Sequence, residues 1–176
     1  MAAVRAAGGD LGAAGLALAE MAGLPGRGAR IEIAGEGGAA LLIEESYNAN
    51  RASMRATLAQ LGVTPARRRI AVLGAMKELG THGADFHAAL AGPIGEAGVD
   101  HAILVGEEMA ALAQELVKGA GGKLGKDLPF AHCQNAAEAL DALRRLGVER
   151  GDAILVKGSN TVGLGAIVAA LSANNG

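Results

Sequence analysis

From Arg30 onward the chain repeats one pattern, and nothing else in it limits the fold as sharply. A short apolar run ends in a small or polar residue, and a stretch with helical spacing follows. The runs are Arg69–Gly74, Ala102–Gly106, Leu128–Cys133 and Ala153–Val156. Helical spacing predicts helices over 51–61, 83–97, 108–117, 136–146 and 162–172. Strands this apolar need cover on both faces, so the alternation predicts a parallel sheet sandwiched by helices. Arg30–Ala34 differs, because it alternates with period two. Gly35–Gly38 follows as a turn and Ala39–Ile43 as a second apolar run, together reading as an antiparallel hairpin. The expected fold class is α/β. It is a Rossmann-like, mostly parallel sheet of about six strands with helices on both faces and the first strand antiparallel.

Residues 1–28 have another texture. Leu11, Leu16, Leu18 and Met21 stand at helical spacing among small residues, and Gly8-Gly9 divides them into two pieces. Leu24-Pro25-Gly26-Arg27-Gly28 then breaks the pattern. Two short helices make a poor core, so 1–28 reads as a helical arm and 29–176 as the domain.

Composition excludes several functions. A net charge of −2 gives no electrostatic case for nucleic acid, and with no Trp, one Tyr and two Phe there is no platform for stacking bases. Cys133 is the only cysteine, which rules out an intrachain disulfide and fits a reducing compartment. As a free cysteine in a strand-like run it reads as a packing residue. No signal sequence opens the chain, and no apolar run approaches the roughly 20 residues of a membrane span. The expectation is a cytoplasmic protein without membrane contact.

The common chemical motifs fail on context. Gly121-Gly122-Lys123-Leu124-Gly125-Lys126 has Ala120 where a Walker A loop begins and Asp127 where its hydroxyl belongs, and a strand follows where a helix should. It reads as a solvated loop. Gly35-Glu36-Gly37-Gly38 leads into a strand, so no helix N-terminus is there to hold a pyrophosphate. His82, His87, His101 and His132 include no His-x-x-x-His pair, so no metal site is expected of this chain alone. No Gly-x-Ser-x-Gly elbow is present.

Three loops remain, each after a core strand: Glu44–Asn50, Gly74–Gly80 and Lys157–Gly163. In open α/β sheets ligands gather outside the carboxyl ends of the strands. Glu44-Glu45-Ser46-Tyr47-Asn48-Ala49-Asn50 crowds two acids, a hydroxyl, the single tyrosine and two amides together. Lys157-Gly158-Ser159-Asn160-Thr161 offers a cation, two hydroxyls and an amide, a set suited to a carboxylate or phosphate. The plainer alternative is helix capping by Ser46, Asn50 and Thr161 with solvated charges, and for His87 a structural place on its helix.

These residues also carry a resemblance. Leu42-Ile43-Glu44-Glu45-Ser46-Tyr47-Asn48-Ala49-Asn50, with Ser53-Met54, is similar to the Asp-Asp-Ser-Tyr-Asn-Ala-Asn-Pro…Ser-Met block of the MurF family of Mur ligases. Arg69–Gly80 resembles the family's Val-Leu-Gly-Asp-Met-x-Glu-Leu-Gly block, His87 stands where the family has a His, and Leu155-Val156-Lys157-Gly158-Ser159 matches its Val-Lys-Gly-Ser. Pro25-Gly26-Arg27 resembles the segment that closes the family's central ATPase domain.

The resemblance implies an ATP-dependent ligase of peptidoglycan synthesis. It activates the carboxylate of UDP-N-acetylmuramoyl-tripeptide as an acyl phosphate, which the amine of D-Ala-D-Ala attacks. It implies ATP contacts for Arg27, Glu45, Tyr47, Asn48 and Asn50. On the D-Ala-D-Ala side it implies Met76, Glu78, His87, Lys157, Ser159 and Asn160. ATP and Mg²⁺ would serve the full-length enzyme, with neither held by this piece alone. The family's UDP-sugar domain and its P-loop domain are absent from this sequence, so the piece is expected to be inactive without them, its partners in the same polypeptide. Four departures from the family pattern stand out: Glu45 for Asp, Arg51 for Pro, Ala75 for Asp and Asn160 for Arg. Two other readings stay open. One is a stand-alone Rossmann-like module that binds a nucleotide or amino acid without catalysis, and the other is a related ligase with a different peptide or folate substrate.

Overall fold

A computed structural model of the chain describes residues 26–119 and 127–173. The helical pieces expected before Pro25, the Gly-rich stretch after Gly119 and the rejected phosphate-loop candidate lie outside the described residues. Six strands form one sheet: β1 (Ala29–Gly35), β2 (Gly38–Glu45), β3 (Arg68–Gly74), β4 (His101–Val105), β5 (Phe130–Cys133) and β6 (Asp152–Lys157). Their spatial order is β1-β2-β6-β3-β4-β5. Only the β1–β2 pair is antiparallel, and it is closed by the tight turn at Glu36-Gly37. The expected α/β class, strand number and antiparallel first strand all hold.

The helices are α1 (Arg51–Val63), α2 (Gly83–Ala88), α3 (Ala91–Glu96), α4 (Ala110–Val117), α5 (Ala136–Leu146) and α6 (Gly165–Ser172). Strand side chains alternate between two apolar layers, as the period of two requires. Ala71, Leu73, Leu104 and Leu155 pack under α1 to α4 with Met54, Leu58, Ile94 and Leu112. Ile70, Val72, Ile103, Ile154 and Val156 face α5 and α6 with Leu143, Leu164 and Ile167. Leu58 and Leu61 are wholly buried, each worth about 1.5–3 kcal/mol by transfer from water.

Several boundaries differ from expectation. The helix expected over 83–97 is two short helices broken at Ala89-Leu90. Pro93 has no N–H for the Ala89 carbonyl, and its ring crowds that carbonyl. The helices expected at 108 and 162 begin at Ala110 and Gly165, after single 3₁₀ turns at Glu107–Met109 and Asn160–Val162. The strand expected from Leu128 begins at Phe130, past Pro129. No helix among the described residues is long and apolar enough to cross a membrane.

Candidate functional site

The carboxyl ends of β2, β6, β3 and β4 lie side by side, which brings all three candidate loops to one edge of the sheet. The register sets Glu45 opposite Lys157, Lys157 opposite Leu73, and Gly74 opposite Val105.

Glu44–Asn50 is held from both sides. The Gly28 N–H donates to the Glu44 carbonyl (2.8 Å) and the Tyr47 N–H to the Gly26 carbonyl (3.2 Å), so the pairing begun by β1 and β2 runs past the strand end. Gly26 has φ +77°, and a Cβ there would stand 2.6 Å from the Tyr47 Cβ, so only glycine fits. This contact places the Arg27 guanidinium over the Tyr47 ring, 4.5 Å from its centroid. Tyr47 stays 49% exposed, a flat aromatic and cationic surface at the rim. Ser46 Oγ donates to Glu44 Oε1 (3.2 Å) and caps no helix. Asn50 does cap one. Its Oδ1 accepts the Ser53 N–H (2.9 Å) while Ser53 Oγ accepts the Asn50 N–H (3.1 Å), so the capping alternative describes this side chain.

Lys157 ends β6 with its side chain only 1% exposed. Nζ donates to the Asn48 carbonyl at 2.8 Å and stands 3.7 Å from Glu45 Oε2. Burial pushes its pKa down, and Glu45 opposes that shift. Of the residues expected on the dipeptide side, Lys157 is the one whose side chain the structure brings to the Glu45–Asn48 group.

The second loop rests on His87, which is 1% exposed. Its Nε2 accepts the Met76 N–H at 2.9 Å, so the neutral ring carries its proton on Nδ1. Nδ1 makes no hydrogen bond among the described residues, although the Gly83 carbonyl acts on the ring from outside good geometry. Burial dominates and lowers the His87 pKa; the Gly83 carbonyl and Glu108 oppose this, and Lys77 reinforces it weakly. The loop bends at Glu78, the only described non-glycine residue with positive φ (61°). Such backbone strain often accompanies a functional loop. Met76, Glu78, His87 and Glu108 line a pocket of about 420 Å³ with Lys77 and Leu79. Lys77 pairs with Glu108 across it and lowers the Glu108 pKa.

Glu108 was not singled out in the sequence, yet it follows the strand-end Gly106 just as the chosen residues follow theirs. Ala75 is fully buried, and its Cβ and the Glu108 carboxylate flank Gly106. Arg51 lies over the Phe86 ring, 4.1 Å from the centroid, and so ties α1 to α2.

The third loop lies against the second. The Ser159 N–H donates to the Ala75 carbonyl (3.2 Å), and a Cβ on Gly158 would stand 3.0 Å from the Gly74 Cα. Ser159 Oγ pairs with Thr161 Oγ1 (3.2 Å), and no side chain caps α6. Asn160 is exposed at the start of the 3₁₀ turn. Among the described residues no group of three His, Cys, Asp or Glu side chains could hold a metal ion.

The model of the Mur ligase glutamate ligase domain matches residues 29–160. The chain belongs to the Mur ligase family. The Synechocystis UDP-N-acetylmuramoyl-tripeptide–D-alanyl-D-alanine ligase is 37% identical over 77% of the chain and 28% of its own length. The Mycobacterium bovis protein of the same name is 33% identical over 83% of the chain and 31% of its own. The crystal structure of MurF from Acinetobacter baumannii superposes with a TM-score of 0.75 at 27% identity, covering 97% of the chain and 35% of that protein. The chain thus spans about a third of the length of these Mur ligases. The match begins at residue 29, where β1 begins.

Proposed function

We propose that this chain is the C-terminal domain of an ATP-dependent ligase joining D-Ala-D-Ala to UDP-N-acetylmuramoyl-tripeptide in peptidoglycan synthesis. The observation that carries the reading is the meeting of three polar loops on one sheet edge, in a chain whose relatives bear that ligase's name. Residues 1–28 are then the end of the preceding ATPase domain, and 29–176 the C-terminal domain. Such a protein works in the cytoplasm, where its nucleotide substrates are.

On this reading the edge has two walls. Glu45, Tyr47, Asn48 and Arg27 form the nucleotide wall. A strand-end carboxylate can accept both ribose hydroxyls, and the Arg27–Tyr47 pair offers a cation and a π-face. Asn50 contributes by fixing the start of α1. The dipeptide wall is Met76, Glu78 and the His87-braced pocket, with Ser159 and Asn160 beside it. Asn160 can hydrogen-bond a carboxylate but cannot clamp it as an arginine would. ATP phosphorylates the tripeptide carboxylate, the D-Ala-D-Ala amine attacks the acyl phosphate, and phosphate leaves. Closure of this domain over the ATPase domain keeps water from the acyl phosphate. Mg²⁺ and the P-loop belong to the rest of the polypeptide.

The test is phosphate release by the full-length protein. It should require UDP-N-acetylmuramoyl-tripeptide and D-Ala-D-Ala together, the 176-residue chain alone should release none, and Glu45→Ala should raise the KM for ATP. Robust ATP turnover by the chain alone, or ATP affinity untouched in Glu45→Ala, would overturn the reading.

A further inference from the structure

Lys157 sits where the two walls join, and its side chain and the backbone after it act in different directions. Its ammonium is buried and bound to the Asn48 carbonyl, with Glu45 beside it. That carbonyl belongs to the turn between β2 and the Asn50 cap of α1, so the bond fixes how the chain leaves one element and enters the next. Beyond Lys157, Gly158 packs on Gly74 and the Ser159 N–H holds the Ala75 carbonyl. A side chain 1% exposed has little surface left for a substrate.

We infer that Lys157 is a positioning residue for the nucleotide wall, which holds Glu45 and the Asn48 turn in place, and that Gly158-Ser159 does the same by backbone for the dipeptide wall. Two adjacent residues at the end of β6 thus set the two walls against each other. The assignment of walls to substrates rests on the proposed function; the assignment of contacts does not.

The first experiment therefore uses the chain itself. In amide-resolved hydrogen exchange or NMR, Lys157→Met should perturb the amides of Ser46–Asn50 and leave those of Ala75–Gly80 in place. Perturbation centred on Ala75–Gly80, or none in either loop, overturns the inference. The second uses the full-length ligase. Lys157→Met should raise the KM for ATP roughly tenfold, because Glu45 and the Asn48 turn lose their fixed placement, and leave the KM for D-Ala-D-Ala within about twofold. Gly158→Ala, whose Cβ would press on Gly74, should show the reverse split. A rise in dipeptide KM alone for Lys157→Met, or an equal rise in both, overturns the inference. If the wild-type protein does not ligate at all, the proposed function fails, and the exchange experiment alone still decides the role of Lys157.

Discussion

At the amino end of β6, Asp152 accepts from Arg68 Nε at 2.8 Å, Arg68 Nη2 at 2.5 Å and the Glu149 N–H at 2.8 Å. At the carboxyl end, Lys157 has the Asn48 carbonyl at 2.8 Å and a carboxylate only at 3.7 Å. Both charges are buried, and both face a partner across a strand pair. Their surroundings act in opposite senses. The hydrogen bond with Asp152 raises the Arg68 pKa and tightens its charge, whereas burial lowers that of Lys157 and works against its charge. The first pair has forked geometry, is reinforced by the Gly147 carbonyl and the Glu149 carboxylate on Arg68, and locks β3 to β6. The second holds a loop at the edge where ligands of such sheets gather. Buried charge in this domain ties strand to strand at one end of β6 and strand to loop at the other.

The sharpest way to break this comparison is Arg68→Ala. It leaves Asp152 buried without its forked partner and should cost about 3–5 kcal/mol in denaturant unfolding. A loss under about 1 kcal/mol would place the amino end among ordinary surface pairs. Acid gives the next largest effect. The His87 pKa lies below its ordinary 6.5 in the folded chain, so the unfolded chain binds the extra proton first as pH falls. Stability from the neutral ring is therefore full above pH 6.5 and declines below it, by at most about 1.4 kcal/mol per pH unit. His87→Gln, which keeps an acceptor without the titration, should flatten unfolding midpoints between pH 7 and pH 5.

Asn50→Ala should cost about 1 kcal/mol in thermal unfolding through the lost cap, with Asn50→Asp restoring most of it. Full stability in Asn50→Ala would detach this residue from the fold and return it to the ligand. The smallest change is expected for Lys157→Met. Glu45 reaches solvent and an apolar side chain suits the site, so unfolding stability should move by less than about 1 kcal/mol. A large loss there would make the two ends of β6 alike.

Much of this was legible in the residues. Apolar strands ending in Gly74, Gly106 and Lys157 announced a parallel sheet and its busy edge, because local hydrophobic period and burial agree. The single helix expected over 83–97 was wrong at Ala89-Leu90, because apolar spacing runs through Pro93 although its missing N–H breaks the helix there. What the sequence did not reveal depended on pairing between distant strands. Nothing local says that β6 lies between β2 and β3, so nothing local says that Lys157 meets Glu45 rather than the Met76 loop. Burial of His87 follows from the packing of α2 and not from its neighbours in sequence. Glu108 follows β4 as the other loop residues follow their strands, so the strand-end rule reaches it too.

The placement of β6 also governs how the molecule comes together in time. Of the six described strands, the one that fills the middle of the sheet is the last to emerge during synthesis. Before it arrives, the β1–β2 hairpin and the β3–β4–β5 half share no strand-to-strand hydrogen bonds. Closing that gap is a long-range pairing, slow by its loop entropy and exposed to misassembly while it waits. The nascent chain thus has both halves of the sheet well before it has the whole, and insertion of one strand joins them and brings the three polar loops to one edge.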